Sequence, residues 1–127
     1  TAPTLTRLTA KPAVTRRARG KKKAVPATLR FTVSEASVVT FTGERVVQGR
    51  RAGKRCVAGA KKGRKCTAYV KTGGSLRVSA KPGSNTATFA AKLGTRKLGP
   101  GTYRLTAVAI DSAGNRSTPA VVTVTVR

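Results

Sequence analysis

"LGPGTYRLTAVAIDSAGNRSTP", Leu98–Pro119, is the stretch that decides the fold. After the break at Gly99–Gly101, the residues Tyr103, Leu105, Ala107 and Ala109 recur at every second position. That period belongs to a strand, whose successive side chains point to opposite faces, and not to a helix. "DSAGN" (Asp111–Asn115) then halts the pattern with turn formers: an Asp whose carboxylate accepts from backbone N–H groups just ahead of it, then Gly and Asn. "AVVTVTV" (Ala120–Val126) resumes the alternation on Val122, Val124 and Val126. Two alternating runs about a turn predict an antiparallel hairpin.

The rest of the chain reads the same way. "TLTRLTA" (Thr4–Ala10) alternates imperfectly, on Leu5 and Leu8, and predicts a short edge strand. "ATLRFTV" (Ala27–Val33) alternates cleanly on Leu29, Phe31 and Val33, and "SVVTFT" (Ser37–Thr42) on Val39 and Phe41. "ERVVQG" extends that strand or starts its neighbour, and "TAYVK", "SLRVSA" and "TATFAAKL" (centred on Phe89) are further strands. "KPGSN" (Lys81–Asn85) is a turn by composition, and Lys11–Pro26, Pro-flanked and basic, is a loop or flexible crossover. No segment carries a helical period. Roughly seven to nine short strands with closely spaced turns describe an all-β, two-sheet antiparallel sandwich. At 127 residues it is one domain: an N-terminal strand and basic loop over 1–26, then the sandwich body over 27–127.

The Leu98–Asn115 segment carries Leu-x-Pro-Gly-x-Tyr-x-Leu followed by Asp-x-Ala-Gly-Asn. It resembles the end of immunoglobulin-like and fibronectin type III-like domains of secreted bacterial proteins, and Phe31–Val70 resembles the front half of such modules in actinobacterial exported proteins. The resemblance covers 27–127 and implies an immunoglobulin-like sandwich, with Thr4–Ala10 as its first strand. It assigns Tyr103 to the tyrosine corner, its hydroxyl bonded to backbone near Lys97–Gly99. It implies no activity, because such sandwiches host many functions. The chain departs from antibody domains in lacking Trp and in having its two cysteines close together in sequence.

Those cysteines, Cys56 and Cys66, bracket "VAGAKKGRK". Zinc needs about four N, S or O ligands, and the chain has no His and no third Cys. A redox pair is normally Cys-x-x-Cys. A structural disulfide is the expectation, free buried thiols the alternative. A bridge closing so short a loop stabilises by about 2–3 kcal/mol and implies an oxidising, extracytoplasmic compartment.

Charge bounds the partners. Lys and Arg number 27 against 3 Asp and Glu, a net charge of +24, so most cations have no carboxylate partner within the chain. They concentrate in two runs: Arg16, Arg17, Arg19, Lys21, Lys22 and Lys23, then Arg50, Arg51, Lys54, Arg55, Lys61, Lys62, Arg64 and Lys65. Both suit anionic polymers bound non-specifically through counterion release. The five aromatics fall at apolar strand positions and read as core. The three carboxylates, Glu35, Glu44 and Asp111, are scattered, and no His is present to serve as a base, so the chain reads as non-enzymatic, without cofactor, metal or small-molecule substrate.

Val108, Ile110 and Val121 lie opposite the inward-facing residues of the last two strands, and such an outer apolar face marks a subunit contact. With Leu5 and Leu8 they form the candidate assembly set. Thr1–Ala10, separated from the body by Lys11–Pro26, is a strand either in its own sheet or supplied to a neighbour's. The chain opens "TAPTLT", without initiator Met or signal peptide, as a processed mature protein or a fragment would; the first suits a secreted product. The expected function is a secreted structural or surface-assembly subunit that self-associates, an extracellular filament being one form. The alternative is a binding module for anionic polymers such as extracellular DNA or acidic glycans. No apolar run is long enough to span a membrane.

Overall fold

The computed structural model describes residues 2–11, 14–15 and 26–127. Its strands are β1 (Leu5–Lys11), β2 (Val14–Thr15), β3 (Ala27–Val33), β4 (Ser37–Ala52), β5 (Arg55–Ala58), β6 (Lys65–Lys71), β7 (Leu76–Ala80), β8 (Gly83–Phe89), β9 (Lys92–Leu93), β10 (Arg96–Lys97), β11 (Gly101–Ile110) and β12 (Ala120–Val126). One sheet runs β1-β3-β8. The other large sheet runs β2-β12-β11-β4-β5, with β6 and β7 also paired to β4, and β9 and β10 form a separate two-stranded ribbon. The fold is an all-β, immunoglobulin-like sandwich. The β11–β12 hairpin predicted from sequence pairs Tyr103 with Val124 and Leu105 with Val122. Among the described residues no helix is long and apolar enough to cross a membrane.

The core is the sum of the alternating faces. Leu29, Phe31 and Val33 of β3 meet Val39 and Phe41 of β4 and Leu105, Ala107 and Ala109 of β11, all buried. Phe31 and Phe41 pack edge to face across the sandwich, ring centroids 5.7 Å apart, the arrangement that the ring quadrupoles favour.

The imperfect spacing of Leu5 and Leu8 has a backbone cause. Pairing of β1 with β3 shifts between Thr6 and Thr9, a β-bulge, and Arg7 within it takes φ 55°. The extra residue lets two leucines three positions apart both turn inward. Leu5 is buried in the core and Leu8 packs half-buried against it. In the single chain both pack within their own sandwich. β1 pairs with β3 of its own chain, Leu5 opposite Val33 and Lys11 opposite Thr28. Val14–Thr15, read from sequence as loop, instead runs parallel to β12. The chain therefore passes from the smaller sheet at Lys11 to the larger one at Val14. Arg16, Arg17, Arg19, Lys21, Lys22 and Lys23 lie outside the described residues.

Strand β8 begins earlier than composition suggested. Gly83–Asn85, read as turn, pairs with Phe31–Val33, and Phe89 is the last residue of the strand. The Asn85 side chain makes the turn contacts, donating to the Lys81 and Gly83 carbonyls at 2.8 and 3.0 Å. Its backbone is left free for the ladder.

Candidate polyanion-binding surface

Strand β4 is 16 residues long, and the opposing sheet covers only its first half. Up to Arg45 it pairs with β11. Beyond that its second half projects as an arm, with β5 taking the β11 side at Gly49–Ala52 and β6 taking the other side at Glu44–Arg50. Cys56 of β5 and Cys66 of β6 therefore flank the same strand, and their disulfide crosses over it (Cα–Cα 6.0 Å). Strands on either side of a third normally stand about 9–10 Å apart. The arm is accordingly curled, its flanks drawn together over the face of β4.

Gly49 permits that curl. A Cβ there would lie 2.5 Å from the Val57 carbonyl oxygen and 3.0 Å from the Cys56 sulfur, so the crossing occupies the space a side chain would need. Glycine within a strand marks this kind of close approach. The limbs of the basic loop are tied to β4 as well: Arg51 N–H donates to the Arg64 carbonyl at 2.9 Å, and Arg50 Nη1 to the Gly63 carbonyl at 3.2 Å.

The arm gathers the second cationic run. Arg51, Lys54, Arg55, Lys61, Lys62, Arg64 and Lys65 are exposed, and Arg50 is half-buried. Arg50 and Lys65 stand directly opposite each other in the β4–β6 ladder, a like-charge pairing that destabilises a sheet. Each such exposed pair costs on the order of 1 kcal/mol or less in water. The bridge, at about 2–3 kcal/mol, offsets several of them. Among the described residues the one ion pair is Arg104–Glu44, 2.6 Å, and it lies at the base of the arm.

That ion pair belongs to a second feature which sequence reasoning missed. Arg104 lies over the Tyr69 ring, 3.5 Å from its centroid, while holding Glu44 through Nε and Nη2. Tyr69, read as a core aromatic, is 44 % exposed on the outer face of the arm. The alternation placed it correctly relative to its neighbours. The register sets Tyr69 on the outer face with Glu44 and Arg104, while its neighbour Ala68 turns inward and is buried.

The remaining candidate residues sit elsewhere. Tyr103 is buried and its hydroxyl donates to the Gly99 carbonyl at 2.7 Å, closing the β10–β11 corner. Asp111 accepts from Ala113 N–H at 3.0 Å, Asn115 N–H at 2.8 Å and Asn115 Nδ2 at 3.0 Å, which holds the β11–β12 turn. These bonds, led by that of the Asn115 side chain, hold its carboxyl below the ordinary value. On the outer face of the larger sheet Ile110 stands opposite Val38. Val38 and Val121 are exposed, with Val108 and Ile110 half-buried between strands.

No protein-family model matches the chain, and no curated protein matches it. Among solved structures it is similar to Spo0M, a sporulation control protein from Bacillus subtilis, with a TM-score of 0.53 and 12% identity. The match covers all of this chain and 50% of that one, so the chain spans about half the length of the protein it resembles. At that identity the likeness concerns the fold alone. The disulfide fits an oxidising compartment.

Proposed function

We propose that this chain is a non-enzymatic, immunoglobulin-like module of a secreted or cell-surface protein, of the kind found in actinobacterial exported proteins, and that its disulfide-tied arm binds anionic polymers. The observation that carries this reading is the arm itself. Eight Lys and Arg between Arg50 and Lys65, with no Asp or Glu among them, are held on a projection tied by a disulfide. A flexible basic loop would lose conformational entropy on binding a polymer. A cross-linked one has lost it already. Extracellular DNA and acidic glycans both supply the counter-charge, and binding is non-specific in sequence. The test is duplex DNA affinity across salt for the parent and for Lys61→Gln/Lys62→Gln/Arg64→Gln. Neutralising three contacts flattens the slope of log K against log salt by about 3. An unchanged slope would sink the assignment to the arm.

A structural or assembly role is the second reading, favoured by the exposed Val38 (42 %) and Val121 (52 %) on the outer face of the larger sheet. Self-association through that face, as in a filament, survives high salt, whereas polymer-mediated clustering does not. Gel filtration in high salt separates them: a monomer there removes the apolar contact.

A further inference from the structure

At the foot of the arm, on the side of the tyrosine corner, lies an open cleft of about 240 Å³. Its wall contains Arg45 of β4, Lys71 of β6, and Arg96 and Lys97 of β10. Among the described residues no acidic one lines it. The four cations come from separate parts of the chain, and neither basic run includes them. We propose that this cleft is an oxyanion pocket that takes a single phosphate group.

The floor is rigid. Leu98 and Tyr103 are 3 % and 2 % exposed, Leu98 N–H donates to the Ala91 carbonyl at 2.9 Å, and the Tyr103 hydroxyl closes the corner on Gly99. Arg45 Nη2 donates to the Pro100 carbonyl of that same corner at 3.2 Å. This fixes its guanidinium while leaving most of its five donors free. Arg45 offers a planar fork, and the lysines act as mobile point charges. A carboxylate brings one charge to such a site. A phosphate monoester brings about −1.5 to −2 and three acceptor oxygens, the better match to Arg45, Arg96 and Lys97, with Lys71, which stands opposite Glu44, at the edge. The apolar floor of Leu98 and Tyr103 suits the organic body that carries the phosphate. This site goes beyond the arm and does not depend on it.

The test is NMR titration of the whole chain at fixed ionic strength with glycerol 3-phosphate, dimethyl phosphate and acetate. Glycerol 3-phosphate should bind at least tenfold more tightly than acetate, shifting the amides of Leu98–Tyr103. Arg96→Ala/Lys97→Ala, both exposed positions, should weaken it at least tenfold and leave duplex DNA affinity within about twofold; Arg96→Lys/Lys97→Arg should restore it. Conversely, Lys61→Gln/Lys62→Gln/Arg64→Gln should weaken DNA binding and leave glycerol 3-phosphate untouched. Dimethyl phosphate binding as tightly as the monoester supports the pocket with an in-chain phosphodiester as its source; weaker binding supports it with a terminal phosphate. Equal affinity for glycerol 3-phosphate and acetate, or an alanine variant that binds phosphate like the parent, overturns the proposal whether or not the arm binds DNA.

Discussion

Tyr103 joins two jobs in one side chain. Its ring fills the core, and its hydroxyl satisfies the Gly99 carbonyl at the corner. Tyr103→Phe keeps the first and removes the second, so denaturant unfolding should show a loss of about 0.5–1.5 kcal/mol. A variant as stable as the parent would mean the corner is held by Arg45 and the backbone alone. Asp111 acts through charge. Its carboxyl is held low by Asn115 and by turn N–H groups, so the unfolded chain takes up that proton first as the pH falls. The stability it contributes is present above the ordinary value of 3.8 and is lost as the pH falls below it. Asp111→Asn should therefore flatten the acid limb of the stability curve there, and an unchanged limb would place the acid sensitivity elsewhere.

The arm depends on a crossing, and so on a missing side chain. Gly49→Ala puts a methyl group against the Val57 carbonyl and the Cys56 sulfur, contacts that backbone and bridge cannot yield cheaply. The expected cost is about 1–3 kcal/mol, as for overpacking elsewhere. Because the arm projects past the core, the change should show as faster amide exchange in β5 and β6 while β3 and β11 stay protected. Uniform loss of protection would show that arm and sandwich unfold together. In β1 the bulge at Arg7 plays the corresponding part: one residue in the left-handed region brings both leucines inward.

At the scale of the molecule, a net charge of +24 sets the response to salt. Like charges repel over about 8–10 Å at ordinary ionic strength, and the native state holds them closer together than the unfolded chain does. Sodium chloride should therefore raise the melting temperature between low and physiological salt while lowering affinity for polyanions. Melting that falls with salt would mean that local attractions such as Arg104–Glu44 outweigh the global repulsion.

The strands, the hairpin turn at Asp111–Asn115 and the corner tyrosine were legible in the sequence because each is local. Alternation at period two states which side chains share a face, and turn chemistry states where the run stops. Alternation does not state what lies over a face. Tyr69 and Phe41 are both aromatic residues of alternating runs, yet the register turns Phe41 toward the opposing sheet and Tyr69 outward to Arg104 and water. Likewise nothing local makes β4 change partners near Arg45, carries a disulfide across Gly49, or brings Arg45, Lys71, Arg96 and Lys97 around one cleft. The sequence by itself determined an all-β chain with a tied basic segment. Only the tertiary structure decided where the second sheet ends and which strands flank β4, and from those follow the arm, the outward ring beside Arg104 and the pocket.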